Sequence, residues 1–137
     1  MYKVHQVPLH RVQQTWDTVS DYIKAALEYA NDDYTIDQVR LLVATGVWSL
    51  FIIVDSDNVV YGAITVQFNQ MPNTRVAFVT AIGGKTLAVQ NLWEQFVKLL
   101  KDNGATDIEG VARPSVARLW SQKFGFKEKY TIVGVKI

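Results

Sequence analysis

The stretch Ala81-Ile-Gly-Gly-Lys-Thr-Leu-Ala88 combines a glycine pair with an ammonium and a hydroxyl, at a point where a strand-like run gives way to a helix-like one. Unpaired backbone N–H groups and the positive end of a helix dipole gather at such a junction. Lys85 and Thr86 add further donors, so the chemistry on offer is the holding of a phosphate or another anion. The same glycines would also serve a chain that only reverses direction. Gly83-Gly84-Lys85-Thr86 contains the end of a nucleotide-binding P-loop, but that motif needs a glycine five residues before Gly84, where Val79 stands. Asp55, Asp57 and Asn58 have something of a calcium loop's spacing without its glycine or its distant glutamate, so they read as a solvated turn. His5 and His10 could act as general bases but show no partner, and surface positions explain them equally well.

The elements that must position these groups belong to one ordinary globular chain. It has 137 residues, 49% hydrophobic and 20% charged, which suits a single domain with a sizeable core. A formal net charge of +1 without long like-charge blocks gives no footprint for a nucleic acid or an anionic membrane. There is no cysteine, and neither a signal peptide nor a transmembrane run is visible, so a cytoplasmic protein is expected.

Hydrophobic period gives the order. Tyr2 to Val7 reads as a strand, and Leu9, Val12, Trp16, Val19, Ile23, Leu27 and Ala30 recur at helical spacing. Thr35 and Gln38 form a capping box for a second helix that stops at Gly46. Val47 to Val54, Val59 to Gln70 and Arg75 to Ile82 read as three strands of a meander. Val89, Leu92, Trp93, Phe96, Leu99 and Leu100 line a helix that ends at Gly104, and Asp107 to Ala112 is the next strand. Pro114 opens a last helix closed by Gly125, and Tyr130 to Ile137 alternates as a final strand. The order β-α-α-β-β-β-α-β-α-β implies an α/β fold with a mixed central sheet, helices on both faces, and a parallel pair where the central helix crosses over. All four tryptophans fall on apolar sides, and Trp93, Phe96, Leu119 and Trp120 are expected in the core.

This order, with "GGKTLAVQNLWEQFVKLLKDNG" as central helix and "SVARLWSQKFGF" as the next, resembles the GNAT superfamily of N-acetyltransferases over essentially the whole chain. Ala117 followed by Lys123-Phe-Gly-Phe126 is similar to the superfamily's late helix segment. The resemblance implies a GNAT-like single domain over 1–137, with the acetyl-CoA pyrophosphate held by Ile82, Gly83, Gly84, Lys85 and Thr86. It also implies a base near the acetyl group. The strand Arg75 to Ile82 carries no carboxylate, and of the nearby Asp107 and Glu109 the second is the better candidate if the chain is active.

Several positions depart from the family's pattern. Its longer Arg/Gln-x-x-Gly-x-Gly/Ala loop is shortened here, Ser121 stands where a thiolate-protonating tyrosine is common, and Pro114 where an asparagine often contacts pantetheine. A serine hydroxyl alone is a poor general acid. Gly83-Gly84 and Arg113-Pro114 bring the chain closer to the short GNAT-like proteins of tailed bacteriophages and prophages. The expectation is therefore a phage-type accessory or virion-associated binding protein with a degenerate acetyl-CoA site and no required cofactor. It would have a protein partner, which could be a virion component, and no nucleic-acid or membrane partner. The alternative is an acetyl-CoA-dependent N-acetyltransferase acting on an amine of a small molecule or protein.

Overall fold

Leu50, Phe51, Ile53 and Val54 make Ser49–Val54 (β2) apolar on both faces, and the computed structural model buries this strand inside a five-stranded sheet. Residues 1–28, 33–84, 87 and 91–137 are described. Strand β1 is Lys3–Gln6, followed by a 3-10 turn at Leu9–Arg11 and the helices α1 (Val12–Leu27) and α2 (Ile36–Ala44). Then come β2, β3 (Val60–Gln70), β4 (Arg75–Gly84), α3 (Leu92–Asp102), β5 (Asp107–Gly110) and α4 (Pro114–Phe124). The strands lie in the order β1-β2-β3-β4-β5. The first four are antiparallel neighbours, and β4 pairs with β5 in parallel, as the helical crossover requires.

The sheet separates two cores. Val12, Trp16, Val19 and Ile23 of α1 and Val39 and Val43 of α2 pack with Leu50, Ala63 and Ala81 on one face. Leu92, Phe96 and Leu100 of α3 pack with Phe51, Ile53, Ile64, Val66, Ala77 and Val79 on the other. Local chemistry sets the helix ends. Gln38 N–H donates to Thr35 Oγ1 at 3.2 Å while Thr35 N–H donates to Gln38 Oε1 at 2.9 Å, the expected capping box. Pro114 occupies the first turn of α4, and Gly125 ends it at φ +75°.

Three expectations change. Tyr130 to Ile137 forms no strand: residues 125–137 carry no regular structure, and Tyr130, Ile132, Val133, Val135 and Ile137 are exposed. Alternation says what a strand would bury but not whether an edge of matching length is free, and β5 is only four residues long. The expected strand 107–112 ends at Gly110, because the chain turns away there towards Pro114. Phe96 is fully buried, whereas Trp93 and Trp120 are half-buried and Leu119 is exposed: α4 buries no residue completely, and Trp93 of α3 stacks on Phe124 of α4 with ring centroids 4.3 Å apart. Trp16 and Trp48 are core residues, as expected.

Candidate active site

The register of the sheet singles out one place. Strand β4 pairs with β5 only from Val76↔Asp107 to Val79↔Gly110; beyond that, β5 stops and β4 runs on to Gly84 against β3 alone. From Thr80 to Gly84 the edge of β4 that faced β5 therefore has no partner strand among the described residues. Its peptide groups present donors and acceptors to whatever lies alongside.

A bulge marks the parting point. Thr65 opposes Ala81 and Val66 opposes Val79, which leaves Thr80 as the extra residue. The Thr80 hydroxyl donates to the Thr65 carbonyl at 3.0 Å and lies 2.7 Å from the Thr65 hydroxyl. Having one proton to give, Thr80 Oγ1 must accept from Thr65 Oγ1, so the fully buried Thr65 is satisfied and the bulge is pinned. A bulge bends its strand and strengthens its twist, which steers Ala81 to Gly84 off the line of β5.

The glycine pair at the end of β4 has a packing reason of its own. A Cβ on Gly83 would stand 1.9 Å from the Tyr22 carbonyl oxygen of α1. Gly84 has φ +82°, and its Cβ would meet the Tyr61 carbonyl oxygen at 2.4 Å. The helix α1 thus rests directly on the strand, and Tyr22 Oη donates to the Val60 carbonyl beside it at 3.1 Å. Of the expected pyrophosphate-holding residues, Ile82 is half-buried, Gly83 buried and Gly84 exposed. Lys85 and Thr86 lie outside the described residues. Downstream, Leu87 is buried in the α3-side core, and α3 opens at Asn91, φ +71°, whose own side chain does not cap the first N–H groups.

Glu109 lies opposite Phe78, one pair before the strands part. Ile108 packs against the α3-side core, so the pleat turns Glu109 to the opposite face. Its side chain is 17% exposed and forms an ion pair with Lys129 Nζ, which the chain after α4 brings back to β5. That carboxylate holds the Lys129 ammonium above the ordinary lysine range. Asp107 lies at the far end of β5 and accepts from Thr106 Oγ1 at 2.6 Å, so of the two carboxylates Glu109 is the one beside the free edge. Gly110 lets Trp120 approach, with the indole 3.5 Å from where a Cβ would be.

The other candidates fall away from this place. His5 and His10 are exposed, and His5 sits on β1 with β2 and β3 between it and β4. Asp55 Oδ1 accepts from the N–H groups of Asp57 and Val59, both at 2.9 Å, which makes Asp55 to Asn58 a self-capped turn. Those bonds, chiefly that from Val59, hold the Asp55 carboxyl below its ordinary range. Sequence reasoning singled out Glu109 but named neither Thr80 nor Lys129, which the structure brings to the same part of the sheet. A bulge leaves no mark in hydrophobic period, and a lysine in a tail says nothing of the carboxylate it meets.

No protein-family model and no curated protein matches the sequence. Solved structures do match its fold. An aminoglycoside acetyltransferase, meta-AAC0020, from an uncultured soil metagenomic sample superposes with TM-score 0.68 at 11% identity, covering 99% of this chain and 96% of that one. A second from such a sample, HMB0005, gives 0.69 at 14%, covering 100% and 99%. A Clostridium acetobutylicum protein described as a predicted acetyltransferase, solved with acetyl-CoA, gives 0.63 at 14%, covering 99% and 96%. The chain has the α/β fold of GNAT-type acetyltransferases; at these identities the likeness is one of fold.

Proposed function

We propose that the chain is an acetyl-CoA-dependent N-acetyltransferase acting on an amine of a small molecule or protein, with Glu109 as its base. The observation that carries this is the parting of β4 from β5 beside a shielded carboxylate that already has an amine on it. Acetyl-CoA fits the residue types present: the edge of β4 from Thr80 to Gly84, which has no partner strand among the described residues, suits an amide-bearing arm, and the sequence Gly83-Gly84-Lys85-Thr86 suits its pyrophosphate. When bound, it would supply an acetyl group on a thioester. The chain's own part is positional and electrostatic. An alkylamine is protonated at neutral pH and must lose a proton before its nitrogen can attack. Glu109, a carboxylate acceptor at the mouth of the free edge, takes that proton and passes it to solvent.

A second reading is that of a phage-type accessory or virion-associated protein, with a residual acetyl-CoA or CoA site and a partner among virion proteins. Ser121 in place of the tyrosine favours it, being exposed on α4. So does the packing of Gly83 on Tyr22 and of Gly84 on the Tyr61 carbonyl, which accounts for the glycine pair without any ligand. Free CoA released from acetyl-CoA over a broad panel of amines separates the two. We expect release above the buffer blank that falls by about 10²-fold or more in Glu109→Gln, the usual scale of general-base catalysis. Release no greater than the blank favours the accessory protein.

A further inference from the structure

Among the described lysines, Lys98 pairs with Asp102 on the open face of α3, whereas Lys129 lies on the carboxylate beside the free edge of β4. An external acceptor would have to put its ammonium on the same oxygen. We infer that Lys129 is an internal acceptor, so that the chain acetylates itself there; this rests on the acetyltransferase reading above. Two features on the page support it. The residues after α4 carry Lys129 back to β5, so no encounter is needed to bring amine and base together, and positioning of this kind is a large part of any acyl transfer. Its side chain is also half-exposed, 54%, so a reagent can reach the amine from solvent.

The step balances without a further reactant. Lys129 Nζ gives one proton to Glu109 Oε2 and its freed lone pair attacks the thioester carbon. The C–N bond forms and the C–S bond breaks, the sulfur leaving with the electron pair. Nitrogen then gives up a second proton; the sulfur takes one of the two and the other reaches solvent. The products are N-acetyl-lysine and the thiol. Because Glu109 holds Lys129 charged, the reaction should quicken as pH rises towards the lysine range.

The test is to incubate the full chain with acetyl-CoA and map acetyl groups by peptide mass spectrometry, beside a calorimetric titration of acetyl-CoA. Lys129 should be modified well before Lys3, Lys24 and Lys98, at a rate at least about tenfold lower in Glu109→Gln. Lys129→Arg, which keeps the ion pair, should lose that modification and no other. Independently of any turnover, NMR titration of the lysine side chains should find Lys129 the last to deprotonate, and Glu109→Gln should return it to the ordinary range. Acetylation spread evenly over the lysines, or unaffected by Glu109→Gln, would overturn the inference. So would an unmodified Lys129 in a chain that binds acetyl-CoA and acetylates external amines, which leaves the acetyltransferase reading standing. Absence of calorimetric binding overturns both.

Discussion

Gly83 shows why the chemistry of one residue is read differently in a sequence and in a fold. Two glycines before a lysine suggest close approach of a phosphate; in the fold the group that approaches Gly84 is the Tyr61 carbonyl of β3, and the group that approaches Gly83 is the backbone of Tyr22 in α1. That neighbour is distant in the chain, so no local pattern could reveal it. Gly83→Ala should therefore destabilise the fold itself, by roughly 1–3 kcal/mol or more, since an overpacked site must shift backbone rather than a flexible side chain. Denaturant unfolding measures this; a neutral Gly83→Ala would mean that α1 yields easily. It follows that loss of ligand binding in a variant of the pair has meaning only once its stability is known. Glu109 was legible because topology alone puts a carboxylate of β5 next to β4. Lys129 was not, for an ion pair between residues 20 positions apart leaves no periodic signal.

At the scale of elements, the strands and helices from β1 to α4 followed from period and caps, while the expected last strand and the irregularity that shapes the site did not. The bulge at Thr80 is held by two hydroxyls, one of them fully buried. Thr80→Val would strand the Thr65 hydroxyl at a cost of about 1–3 kcal/mol, whereas Thr65→Val with Thr80→Val removes both polar groups and should cost less than the sum of the singles. A double-mutant cycle on unfolding free energies reads this directly, and strict additivity would show that the hydroxyls do not hold the bulge. The β2–β3 turn offers a pH test. Asp55 is depressed by its bonds to Val59 and Asp57 N–H, so it contributes stability that is present above its unfolded pKa and is lost as pH falls through its folded one. Asp55→Asn should flatten the acid limb of a stability–pH profile below about pH 4, the ordinary aspartate range. An unchanged limb would assign that loss to other carboxylates.

Across the whole molecule, the parallel β4–β5 pair and the helices on both faces were legible because a helical crossover leaves one arrangement for the strands it joins. The tail shows where such reasoning stops. Tyr130, Ile132, Val133, Val135 and Ile137 have the composition of a strand, yet they stand in solvent after Lys129. Magnitudes make the difference measurable. Burying a valine or isoleucine side chain is worth about 1.5–3 kcal/mol, so five large apolar side chains packed in a sheet would together hold a large part of the stability of a domain this size. Exposed as they are, they hold little of it. Deleting residues 130–137, with Lys129 kept, should change the unfolding free energy by less than about 1 kcal/mol, because the lost side chains were already in water. A loss above about 3 kcal/mol would show instead that the tail packs on an edge of the sheet. Dependence of that loss on protein concentration would place the edge in a second copy of the chain.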